Sequence, residues 1–199
     1  MANTLTDLMN CPLDKVWNPG HHGSEDANGI EIERATALCL VQLSLFPDTT
    51  KPAMTVLRKL GITKLPAIPT MAETKGATTI LPLGAQRFLI ACDDYDFADK
   101  LAKAMPAKTG SVTDLSGARV HLKLSGSAVE RILSTGMAID FHLSNFPVGH
   151  VAQSAVHHMP VLVHRTGKDA FSLYAFATYA ESTFHWLLEA SLPHGIDLI

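Results

Sequence analysis

The stretch Arg119-Val120-His121-Leu122-Lys123-Leu124-Ser125-Gly126-Ser127-Ala128-Val129-Glu130-Arg131-Ile132-Leu133 changes period in its middle. Val120, Leu122 and Leu124 alternate with Arg119, His121 and Lys123, the period of two expected of a strand with one buried face. Beyond Gly126, Val129, Ile132 and Leu133 fall on one side of a helix, behind the capping box Ser127-x-x-Glu130. Gly136 is placed to end that helix as a C-cap. A strand that feeds a helix through a short turn is the unit from which the rest of the chain is read.

Working outward, a Pro/Gly turn at 146–149 leads to strands near 151–156, 161–164 and 171–174. A last helix over about 178–190 turns Ala180, Phe184, Leu187 and Leu188 inward. Upstream the same order occurs. Cys39, Val41, Leu43 and Leu45 alternate as a strand, and Met54, Leu57 and Leu60 follow at helical spacing, with Pro52 in the first turn and Gly61 just past the end. Strands at 78–83 and 88–92 flank a turn around Gly84, and Asp93–Asp94 are placed to cap a helix carrying Phe97, Leu101 and Met105. Val41, Leu43 and Leu45 overlay Val120, Leu122 and Leu124. Ile80, Gly84, Phe88, Ile90, Leu101 and Met105 overlay Val163, Gly167, Phe171, Leu173, Phe184 and Leu188, again roughly 80 residues on. The expectation is an α+β fold with antiparallel sheets, an internally duplicated strand–helix–strands–helix unit. It forms a single domain over 31–199, with pseudo-repeats at about 31–110 and 111–192. Residues 1–30, broken by Pro12, Pro19, Gly20, Gly23 and Gly29, read as an N-terminal arm, and Val16 and Trp17 favour its docking on a surface.

Composition narrows the function. Charged residues make up 18% of 199, against about 25% in an ordinary soluble domain, while 47% are hydrophobic. So little charge suits a subunit with a face buried against partners. A net charge of −3 argues against a nucleic-acid binder. No apolar run reaches about 18 residues, which argues against a membrane span. Met1 to Lys15 lacks the basic-then-apolar pattern of a secretory signal. Cys11, Cys39 and Cys92 are odd in number and lack C-x-x-C spacing, so the chain reads as cytoplasmic with reduced thiols.

Motifs for nucleotide chemistry are missing: neither G-x-G-x-x-G nor G-x-x-x-x-G-K-[ST] occurs. There is no G-x-S-x-G elbow. The ten histidines include the pairs His21–His22 and His157–His158, with His150 and His164 nearby, but lack metal-ligand spacing, so no metal site is expected. No catalytic residue is assigned. Asp114 and Asp140 suit turns, or else the wall of a pocket shared with Phe141 and Phe146. Arg119 and Arg165 lie near strands, where either could meet a carboxylate bidentately.

These residues carry a resemblance. Val112-Thr-Asp114-Leu-Ser116-Gly-Ala-Arg119, Leu124-Ser-Gly126-Ser-Ala128, Ile132-Leu-Ser-Thr-Gly136, Ile139-Asp140, Phe146-Pro147-Val-Gly149-His-Val-Ala-Gln153 and Val161-Leu-Val-His164-Arg165 together resemble the gamma subunits of heterotetrameric sarcosine oxidases. Glu33-Arg34, Val41-Gln42-Leu43, Leu83-Gly84, Phe88-Leu89-Ile90, Phe171-Ser-Leu173, Tyr179-Ala180 and Trp186-Leu187 extend it over about residues 31–192. The resemblance implies a fold like the folate-binding domain of aminomethyltransferases. It implies an accessory, structural role beside alpha, beta and delta subunits. That complex oxidises sarcosine to glycine and passes the one-carbon unit to tetrahydrofolate. FAD, FMN, NAD, tetrahydrofolate and zinc would then belong to partner subunits, with no cofactor on this chain. The alternatives are a stand-alone folate- or pterin-binding protein, or the equivalent subunit of a related N-methyl amino acid dehydrogenase.

Overall fold

The computed structural model describes residues 11–25, 29–35 and 39–199. In chain order its elements are β1 (Gly20–His22), β2 (Ile30–Ala35), β3 (Cys39–Leu45), α1 (Thr50–Lys59), β4 (Glu73–Lys75), β5 (Thr78–Gly84), β6 (Arg87–Cys92), α2 (Phe97–Ala104), β7 (Gly110–Asp114), β8 (Arg119–Ser125), α3 (Val129–Gly136), β9 (Val151–Val156), β10 (Met159–Gly167), β11 (Ala170–Phe176), α4 (Ala180–Ser191) and β12 (Ile196–Leu198). They divide into two compact units, each with its own apolar core. The central unit lies within 37–116; the flanking unit takes the chain before and after it.

The central sheet runs β4-β5-β6-β3-β7, antiparallel throughout. One face packs Val41, Leu43, Ile80, Phe88 and Ile90 against Ala53 and Leu57 of α1 and Phe97 and Leu101 of α2. The flanking sheet runs β1-β12-β2-β8-β11-β10-β9, antiparallel except where β12 lies parallel to β2. Val120, Leu122 and Leu124 of β8 join Val163 of β10, Phe171 and Leu173 of β11, Ile132 and Leu133 of α3 and Phe184 and Leu187 of α4 in its core.

The four inner strands have the same order in both units: β4-β5-β6-β3 in one, β9-β10-β11-β8 in the other. Both hairpins break register at the same place, between Pro82 and Gly84 and between Arg165 and Gly167. The strand next to each β3 or β8 is exchanged. β2 precedes β3 in the chain but pairs with β8, and β7 precedes β8 but pairs with β3. The compact units therefore divide the chain one strand later than pseudo-repeats at about 31–110 and 111–192 do, because β2 and β7 each pair with a strand of the other repeat.

Several local expectations need correcting. Val41 stands opposite Ile90, and Leu122 opposite Leu173, so the ladder matches Val41 to Leu122; the overlay of Val41 on Val120 is two residues off. A two-residue slip leaves every side chain on its face, so alternation alone cannot detect it. The Ser127-x-x-Glu130 box does not close: the helix starts one residue later, with Ala128, which has no side-chain acceptor, at the N-cap, and the Glu130 carboxylate is held by Arg165. Gly136 does not take a left-handed C-cap conformation. It is the last residue of α3, and a Cβ there would lie 2.4 Å from the Trp186 ring. Gly126 does need its freedom, with φ +131° and the Gly29 carbonyl oxygen 2.4 Å from where a Cβ would stand. The Asp94 side chain accepts from the Asp96 N–H (3.1 Å) and from Lys100 ahead of α2; neither it nor Asp93 caps the helix. β7 and β12 are strands without a clear alternation in the sequence. β7 alternates only Val112 with polar neighbours, and β12 is three residues long.

Of the arm at 1–30, residues 1–10 and 26–28 lie outside the described residues. The remainder packs on the flanking unit. Leu13 is fully buried in its core, Trp17 lies 5.1 Å from Phe184 between ring centroids, and β1 pairs with β12.

Candidate functional site

Arg165 is the largest fully buried side chain of the described residues, at 1% exposure. It sits where the β10–β11 hairpin breaks register, and its guanidinium ties three segments together. Nη2 donates to Glu130 Oε2 of α3 at 3.0 Å. Nη1 donates to the carbonyls of Phe141 (2.6 Å) and Phe146 (3.0 Å), and Nε to those of Gly167 (3.2 Å) and Lys168 (3.1 Å). Nη2 also reaches the Lys168 carbonyl, and the Phe171 ring lies 4.9 Å below the guanidinium carbon. A buried charge needs its partners to offset desolvation, and these do so. Arg165 is thus an internal clamp with no donor left over for a ligand carboxylate.

The pocket candidates divide between the two units. Asp114 belongs to the central unit; Asp140, Phe141 and Phe146 belong to the flanking one. Asp114 Oδ1 accepts from the Ser116 backbone N–H (2.9 Å) and from the Ser116 hydroxyl (2.6 Å). Asp140 accepts from the His142 backbone N–H (3.0 Å) and from Asn145 Nδ2, which hold its carboxyl below the usual carboxylate range. Phe141 and Phe146 are core residues in edge-to-face contact at 5.3 Å. A pterin needs a free carboxylate and an open aromatic wall, and this arrangement offers neither.

The polar groups that do gather are on the face of the flanking sheet opposite its core. His121 lies across from Tyr174, and Lys123 across from Ser172, with His164 on the next strand opposite Ser172. The His121 ring stacks on Tyr174 at 4.4 Å and 8°, and its Nε2 shares a 2.9 Å hydrogen bond with the Ser172 hydroxyl. Burial drives the pKa of His121 down to about 3 and that of His164 to about 4, and pushes the Tyr174 phenol up. Arg119 stacks its guanidinium 4.0 Å over Phe176. The sequence had singled out Arg119 for its position near a strand. Of His121 and Tyr174 it showed only the alternation, because strand pairing brings them together across 53 residues' worth of chain that carries no local signal.

The remaining features are less organised. A cleft of about 490 Å³ in the central unit is lined by Thr50, Met54, Arg58, Lys64, Pro82 and Gln86 among others, none of them acidic. His150 packs edge-on to Phe146, and among the described residues no three His, Cys, Asp or Glu side chains converge to hold a metal. No described helix is long and apolar enough to cross a membrane.

Residues 47–193 match the family described as sarcosine oxidase, gamma subunit. A sarcosine oxidase subunit gamma from Arthrobacter sp. is 34% identical over 193 residues, covering 95% of this chain and 94% of that protein. The one from Corynebacterium sp. (strain U-96) is 32% identical over 125 residues, and the match spans 62% of this chain and 61% of that relative. Among solved structures, a chain of the heterotetrameric sarcosine oxidase from Corynebacterium sp. U-96, in complex with pyrrole 2-carboxylate, superposes with TM-score 0.76. It is 24% identical, with 95% of this chain and 93% of that one covered. The glycine cleavage system aminomethyltransferase T from Bartonella henselae superposes with TM-score 0.61 at 13% identity, over 87% of this chain and 48% of that one. These two establish the α+β fold with antiparallel sheets.

Proposed function

We propose a role that proceeds from one premise: the chain belongs to the sarcosine oxidase gamma subunit family. Its role is that of an accessory subunit in a cytoplasmic heterotetrameric sarcosine oxidase, beside alpha, beta and delta subunits. The complex oxidatively demethylates sarcosine to glycine and passes the one-carbon unit to tetrahydrofolate. FAD, FMN, NAD, tetrahydrofolate and zinc reside on the partner subunits. The two pseudo-repeats descend from one duplicated unit.

The observation that carries this reading is the alignment with the Arthrobacter relative over nearly the whole length of both chains. Two features of the molecule support an assembly role. Amine oxidation needs the substrate C–H bond held against a flavin, and the cofactor carries the hard chemistry; this chain has no dinucleotide fingerprint and places Arg165, Asp114 and Asp140 in internal and turn contacts. Charge is scarce, while Leu143, Val148 and Tyr179 stand exposed on the flanking unit, as suits a surface that partners cover. The test is co-expression with the alpha, beta and delta subunits, followed by size-exclusion chromatography. Co-elution in equal stoichiometry is expected; a chain that elutes alone while the other three assemble without it would refute the role.

A further inference from the structure

The two units treat one place in the hairpin differently. In the flanking unit Arg165 and Phe171 stand opposite each other at the register break. The chain after α3 folds Phe141 and Phe146 over Phe171, with ring centroids at 5.6 and 6.5 Å, and the Arg165–Glu130 ion pair ties that place to α3. In the central unit the opposed pair is Pro82 and Phe88. The chain after α1 lays Leu65, Pro66 and Ala67 beside them and brings no aromatic ring. The cleft of about 490 Å³ lies there, lined by Pro82, Phe88, α1 and the β5–β6 turn.

Its walls are apolar and its rim is basic. Arg58 of α1 is exposed and has no partner among the described residues. Gln86 accepts the Thr50 hydroxyl on Oε1 at 3.1 Å, which leaves its amide N–H groups to donate. No acidic side chain lines the cleft. Residues 45–91 carry six basic residues against two acidic ones, in a chain of net charge −3, and Lys64 already holds one of those acids, Glu73, at 2.6 Å. Ile68, between the lining residues Ala67 and Pro69, is 57% exposed. Such a surface is complementary to an acidic partner with an apolar anchor.

We propose that this cleft docks a segment of a partner subunit that carries an apolar side chain beside a carboxylate. The side chain lies over Pro82 and Phe88, as Phe141 and Phe146 lie over Phe171, and the carboxylate meets Arg58. A small anion fits less well. Small-ligand sites bury most of their ligand, whereas Arg58, Gln86 and Thr63 donate from an exposed rim. A tethered segment gains effective concentration from the rest of the interface. The inference rests on the assembly role proposed above.

The experiment compares hydrogen–deuterium exchange of the isolated chain with that of the complex co-expressed with alpha, beta and delta subunits. Segments 62–69 and 84–88 should exchange about tenfold more slowly in the complex. Arg58→Glu should weaken retention of the chain on dilution of the complex about tenfold. Lys59→Glu, the same charge change at an exposed residue outside the cleft, should stay within about twofold. Co-elution without protection of the cleft overturns the docking site and leaves the assembly role standing; failure to co-elute refutes both. Equal losses in the two variants assign the effect to general charge and overturn the proposal. Protection that appears in the isolated chain as its concentration rises assigns the cleft to a second copy. Protection by sodium phenylacetate equal to that in the complex assigns it to a small organic acid. Either result overturns the proposal.

Discussion

The two sheets share an inner strand order, yet their outer faces differ in kind. Opposite its core, the central sheet carries Leu40, Leu81, Leu89 and Ala91, all buried and apolar. The ladder sets these against His121, His164, Ser172 and Tyr174 of the flanking sheet. At the break in the hairpin, Pro82 of one unit answers Arg165 of the other. One architecture thus tolerates an apolar second face or a polar one. The polar version buries groups that need partners: His121 Nε2 finds the Ser172 hydroxyl, while Arg119 Nε and His121 Nδ1 have no protein partner among the described residues.

The contrast can be broken most forcefully at Arg165. Arg165→Met removes the donor that Glu130 and the carbonyls of Phe141, Phe146 and Lys168 share, and is expected to destabilise the flanking unit by about 3–5 kcal/mol in urea unfolding. Pro82→Ala, at the matched position, should cost less than about 1 kcal/mol, since no such network depends on it.

Acid comes next. His121 and His164 titrate near 3 and 4 in the folded chain and near 6.5 unfolded, because burial disfavours the charged ring. Below pH 6.5 the unfolded chain binds protons that the folded chain does not. Stability should therefore be full above pH 6.5 and fall by about 1.4 kcal/mol per pH unit for each ring, until pH reaches about 4 for His164 and about 3 for His121. His164→Leu, which restores the residue type of Leu81, should remove about half of that slope in melting curves recorded from pH 7 to 5.

Smaller effects follow. Gly136→Ala forces a methyl against the Trp186 ring and should cost about 1–3 kcal/mol by denaturant melts. Lys123→Met removes a half-exposed ion pair with Glu33 and should change the unfolding free energy, read from denaturant melts, by less than about 1 kcal/mol.

The same contrast explains what the sequence makes legible. The flanking sheet's polar second face leaves β8 as a strict alternation, easy to read as a strand with a known inner side. The central sheet is apolar on both faces, so β6 is a continuous run, Phe88-Leu89-Ile90-Ala91-Cys92, whose existence is plain but whose orientation is not. Glu130 looked like half of a capping box because the box is a local pattern; its true partner, Arg165, lies 35 residues away. The pairings of Arg119 with Phe176 and of His121 with Tyr174 arise only when β8 and β11 meet, and neither residue type announces them.

The proposed assembly role leaves no side chain of this chain in the oxidation itself. Steady-state turnover of sarcosine by the assembled complex tests this directly, with Asp140→Ala, His157→Ala and His158→Ala introduced one at a time. The expected kcat is within about twofold of the unsubstituted complex, with any loss confined to yield or melting temperature. A fall of about 10³-fold in kcat with assembly intact, equivalent to about 4 kcal/mol of transition-state stabilisation, would contradict it.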